Sequence, residues 1–171
     1  FDQVNEVWHC WRVDDSASVP PRLVTDTTIE TVRKNSPDRV IAHYMQPHEP
    51  YIGSDKYAEP GMLKKLSDGD ISRDALWNAY LENLRFVLDE IELLLMNVDA
   101  DRAVITADHG EAFGEWGSTG HTLSFPHPVV KKVPWVETSA SDSEQHEPAG
   151  YDRTTEDEFD RDALLKNLGY L

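Results

Sequence analysis

The fold is decided by Ala103-Val104-Ile105-Thr106-Ala107-Asp108-His109-Gly110-Glu111. The apolar, β-branched run Ala103 to Ala107 predicts a short buried strand. It stops at Asp-His-Gly, which sets two metal-competent side chains at the strand's carboxyl end, where open α/β sheets place their ligands. The Asp108 carboxylate and the His109 imidazole together suit a divalent cation, zinc or manganese more than magnesium. Gly110 allows a turn that a residue with a Cβ would resist. Taken alone, the tripeptide reads first as a plain turn with an exposed histidine.

Upstream, Trp77, Tyr80, Leu81, Leu84, Val87, Leu88, Ile91, Leu94 and Leu95 recur at three and four residues. This predicts a helix over Ser72 to Val98, with Ser72 as N-cap and Asn78, Glu82, Arg85, Asp89 and Glu92 on its polar face. Earlier still, Val40 to Met45 reads as a strand with His43 packed inside it, and Thr25 to Asn35 as a helix with Thr27 and Glu30 at capping-box spacing. Residues 52–71 read as a connecting loop and Val129 to Val136 as a further strand. Strand, helix, strand implies a right-handed crossover and two parallel strands whose carboxyl ends face one way. His48, in the loop Pro47-His48-Glu49-Pro50, then shares a sheet edge with Asp108 and His109. The expected class is α/β, a mainly parallel sheet flanked by helices.

Two ordered motifs sharpen this. Thr106-Ala107-Asp108-His109-Gly110-Glu111-Ala112-Phe113-Gly114-Glu115 is followed by Gly120-His121 and Val133-Pro134-Trp135, and preceded by His43-Tyr44-Met45-Gln46-Pro47-His48-Glu49-Pro50-Tyr51. Together they resemble the sulfatase-like domain of the alkaline phosphatase superfamily, most closely sulfatase-like proteins of halophilic archaea. The resemblance spans most of residues 1–136, as the C-terminal portion of such a domain, and more weakly the ending Leu168-Gly169-Tyr170-Leu171. It implies an alkaline phosphatase-like fold and metal-dependent hydrolysis of a sulfate or phosphate ester. Asp108 and His109 would ligate one or two divalent ions, zinc or manganese favoured over calcium. His48 would contact the transferred group or protonate the leaving oxygen, and His121 would contact a substrate oxygen or ligate the metal, so both rank as catalytic. The alternatives are a phosphodiesterase or phosphoethanolamine-type transferase acting on a glycan or lipid, and a non-catalytic acidic module. Members of the family carry a second aspartate and a Ser, Thr or modified Cys nucleophile in their first half, and neither is found here. Ser18-Val19-Pro20-Pro21-Arg22 matches the bare nucleophile pattern but reads as a polar loop without the following Thr-Gly. Residues 1–171 by themselves are therefore expected to be inactive.

The chain has 171 residues, with 32 acidic against 16 basic and a formal charge of −16, which disfavours nucleic acid or anionic membrane as partner. Such a surface suits a high-salt cytoplasm, where screening shortens the Debye length to about 3 Å. Cys10 is the single cysteine, so no disulfide framework or Cys-based zinc site exists. No apolar run of about 18 residues is present to span a bilayer. Glu137 to Asp162 carries ten acidic residues and reads as a disordered linker. Residues 163–171 close as a short helix.

Overall fold

A computed structural model describes residues 3–7, 18–54, 56–121 and 126–150. Cys10 and the expected helix at 163–171 lie outside them. The protein mixes helix and sheet. Helix α1 (Pro21–Asn35) is followed by α2 (Met62–Asp68), α3 (Arg73–Leu95), β1 (Ala100–Thr106), β2 (Ala112–Phe113), β3 (Thr119–Gly120), α4 (Pro128–Lys131) and β4 (Trp135–Ala140). Among the described residues no helix is long and apolar enough to cross a membrane.

α1 begins four residues before its predicted start. Pro21 occupies its first turn behind an extended Pro20, and proline's fixed φ favours that position. Thr25 and Thr28 bond back to the carbonyls of Pro21 and Val24, so the helix starts at the proline pair and not at a threonine cap. Ser18, just upstream, accepts from the Gln46 amide at 3.1 Å. Residues 52–71 contain α2, whose ends are set by Gly61 and Gly69, both with positive φ. The apolar spacing Met62, Leu63, Leu66 is what the loop reading overlooked.

α3 is the frame. Ser72 caps it by accepting from Ala75 N at 3.3 Å, as its sequence predicts. Its buried stripe is Leu76, Ala79, Asn83, Val87 and Glu90, rotated from the apolar stripe, so that Trp77 and Leu88 are exposed. Two polar residues hold buried positions because each has partners there. Glu90 takes both ends of the Arg22 guanidinium at 2.7 and 2.8 Å, and Asn83 holds a loop described below. The amino half of α3 packs with Tyr51, Met62, Leu63 and Phe113 in one hydrophobic cluster. Its carboxyl half packs on α1.

Both ladders among the described residues are antiparallel. β1 pairs antiparallel with β4, Val104 opposite Glu137 and Thr106 opposite Trp135, and β2 pairs antiparallel with β3. Residues 40–45 form no ladder among the described residues, and His43 is exposed, not packed in a core. β1 is half-buried at most: among the described residues β4 is its one ladder partner, and Val104, Trp135 and Val136 are exposed. The stretch expected as a strand over Val129 to Val136 splits into α4, capped by the His127 ring, and the start of β4. The acidic stretch that begins at Glu137 runs inside β4 and then docks. Arg33 grips the Asp142 carboxylate at 2.7 and 2.8 Å, and His146 Nε2 lies 2.6 Å from the buried Asp26.

Candidate metal centre

Two segments build the site. The first is the loop 46–54, laid along α3. Asn83, wholly buried, donates to the carbonyls of Pro47 and His48 at 3.2 and 3.1 Å and accepts from Gly53 N at 3.1 Å. Gly53 is required by close approach, since a Cβ there would sit 3.1 Å from the α3 backbone. Glu49 reaches the other way and accepts from Leu63 N at 2.9 Å, in the first turn of α2. His48 is thus held from both sides. Its Nδ1 lies 2.6 Å from Glu49 O, which fixes the proton there and presents the Nε2 lone pair.

The second segment is the hairpin β2–β3 with its flanks. Gly114, Gly117 and Gly120 all have positive φ, so the stretch between β2 and β3 is a reversal that glycine permits cheaply. Ala112 lies opposite Gly120, and one step outward this register sets Glu111 beside His121. The Glu111 carboxylate is buried, with Oε1 at 3.0 Å from His121 Nδ1 and Oε2 at 3.9 Å from His48 Nε2. Gly110 fits for a different reason than a turn: a Cβ on it would lie 2.0 Å from Val129 O.

All four residues expected from the sequence gather here. The His48 and His121 rings meet edge to face at 5.2 Å, and His109 stacks on His121 at 4.0 Å. Asp108 adjoins through its Oδ2, 3.7 Å from His109 Nε2, with its side chain 59% exposed. Among the described residues, however, the three groups whose ligand atoms lie within 4.8 Å of one another are His48, Glu111 and His121. Glu111 was not singled out from the sequence. Its signal is the glycine spacing, which marks a hairpin whose two ends are positions 111 and 121.

Two imidazole nitrogens and one carboxylate oxygen match the donor set of catalytic zinc sites, which keep a coordination position open. Bonds of about 2 Å to a shared ion need only small contraction of the 3.0 to 4.8 Å spacings found. The residues therefore fit a divalent ion. A cavity of 450 Å³ opens along the same hairpin, floored by Phe113 and Thr119, the next cross-strand pair on the face that carries Glu111 and His121. Two residues along a strand is about 7 Å. Arg73 and Glu115, paired at 2.7 Å, stand at its rim.

No family model matches the chain, and neither a curated protein nor a solved structure does.

Proposed function

We propose that this chain carries the metal-holding part of a hydrolase acting on sulfate or phosphate esters. The observation that carries the reading is the meeting of His48 with Glu111 and His121, drawn from segments more than sixty residues apart and partly or wholly shielded from water. A divalent ion held by these three would supply Lewis acidity toward a non-bridging ester oxygen. His109, stacked beside His121, and Asp108 at its rim lie where a substrate oxygen or a further cation would be met. Histidine in the donor set favours zinc or manganese over calcium, whose ligands are oxygens. The cavity beside the hairpin gives room for the alcohol part of the ester. On this proposal the two short sheets belong to a larger, mainly parallel sheet of the alkaline phosphatase type.

One specific contact favours a second reading. Glu111 and His121 form a buried carboxylate–imidazole pair at 3.0 Å, the arrangement that orients a histidine as general base without a metal. Titration separates the two. After dialysis, the wild-type chain should retain about one equivalent of zinc or manganese by elemental analysis, and Glu111→Gln should retain none. Inorganic phosphate should bind the zinc-loaded chain by calorimetry and not the metal-free one. Absence of stoichiometric metal from the wild type would leave the metal-free reading, or a non-catalytic module, in its place.

A further inference from the structure

The fold itself has little use for the pair Arg73–Glu115. Arg73 opens α3, where the aligned amide dipoles disfavour a cation, and its side chain stays 63% exposed. Exposed ion pairs contribute little to stability. Glu115 is held in place independently: its Oε2 accepts from Phe113 N at 2.6 Å, while its Oε1 accepts from an Arg73 N–H at 2.7 Å. A guanidinium carries five N–H donors and each carboxylate oxygen two lone pairs, so the pair keeps both donors and acceptors to offer. Both residues line the 450 Å³ cavity, to which Ser67 and Thr119 add a hydroxyl each and Phe113 an aromatic floor. The floor extends outward, for Phe113 meets Trp77 edge-on at 5.3 Å, and Trp77, one turn along α3 from Arg73, is 44% exposed.

We infer that this cavity is a subsite for an uncharged sugar ring as the alcohol part of the ester, with Arg73 and Glu115 as its specificity-determining pair. The inference rests on the ester-hydrolase reading given above. A sugar hydroxyl both donates and accepts, so two neighbouring hydroxyls can accept from Arg73 and donate to Glu115 at once. The ring's C–H face can rest on Phe113. An aliphatic alcohol would cover the pair's spare donors and acceptors without replacing their bonds to water. A second anionic group would meet the Glu115 carboxylate in a chain of formal charge −16. The floor lies about 7 Å along the hairpin from Glu111 and His121, which leaves the charged end of the ester at the metal.

The test measures the affinity of the zinc-loaded chain for four ligands by calorimetry: inorganic phosphate, glucose 1-phosphate, cyclohexyl phosphate and glucuronic acid 1-phosphate. Glucose 1-phosphate should bind about tenfold more tightly than each of the other three, the effect of two modest hydrogen bonds. Arg73→Gln and Glu115→Gln should each abolish that preference, whereas Arg102→Gln, which breaks the exposed pair Arg102–Glu137, should keep it. Equal binding of cyclohexyl phosphate by wild type would make the cavity merely apolar and overturn the inference. Tighter binding of glucuronic acid 1-phosphate would overturn it in favour of a second anion. A preference that survives Arg73→Gln would remove the role of the pair. The wild-type series decides the sugar question even where a variant fails to fold. A zinc-loaded chain that binds inorganic phosphate but shows no preference leaves the metal centre standing, and one that binds no phosphate at all removes both readings.

Discussion

Replacing Asn83 with alanine should damage stability and the metal centre together. The Asn83 side chain is wholly buried and makes three hydrogen bonds, to Gly53 N, Pro47 O and His48 O. Alanine removes the partner of all three backbone groups, those of Pro47 and His48 half-buried. At about 1 kcal/mol for each net hydrogen bond the loss is about 3 kcal/mol, before any cavity is counted. For a chain of this size that corresponds to a fall in melting temperature of about 6 to 12 °C. The His48 carbonyl would also be released, so the imidazole loses its fixed aim and zinc affinity should drop by about tenfold or more. Asn83→Asp is the sharper variant. It keeps the acceptor for Gly53 N, but turns an oxygen toward two carbonyls, and should be at least as harmful as alanine. Differential scanning calorimetry and chelator competition read both quantities. Melting within about 2 °C of wild type, with unchanged zinc affinity, would refute the view that α3 holds the histidine loop through this amide.

Three further outcomes are expected. Gly110→Ala should lower both stability and metal content, because its Cβ would meet Val129 O at 2.0 Å and must displace the chain between His109 and Glu111; a crystal structure or melting curve identical to wild type would contradict this. The Arg33 guanidinium holds the Asp142 carboxyl below its ordinary value of 3.8. A lowered pKa means the contact stabilises the fold above that value and fades as pH falls through the folded one, so the gap in urea midpoint between wild type and Asp142→Asn should be open at neutral pH and close in strong acid. With a formal charge of −16, melting temperature should rise between low salt and molar potassium chloride, and a flat or falling trend counts against a high-salt origin.

The sequence makes α3 and its Ser72 cap legible because periodicity and capping are local properties. It also makes the meeting of His48, His109 and His121 legible, although by a route through parallel strands that the described ladders do not contain. Residues 40–45 look like a strand from side chains alone, but a strand needs a neighbour to bond, and none lies beside them among the described residues. The rotation of the buried stripe to Asn83 and Glu90 could not be foreseen, because polar residues enter a core only when distant partners satisfy them. Those partners, Gly53 and Arg22, lie 30 and 68 residues away in sequence. Glu111 escaped notice for a related reason. Its importance comes from a cross-strand register, and register depends on where a hairpin turns.

The contact between Asp26 and His146 spans 120 residues. At about 5 to 20 residues per second, synthesis delivers His146 some 6 to 24 s after Asp26. During that interval the buried Asp26 carboxylate of α1 lacks its contacts to His146 Nε2 and Ala149 N. A buried carboxylate with fewer of its donors gains from water, so the turn of α1 that carries it should be more loosely held while the chain is still on the ribosome. The segment around His146 then works as a late fastening, and a nascent chain stopped short of His146 should be more open to protease around Asp26.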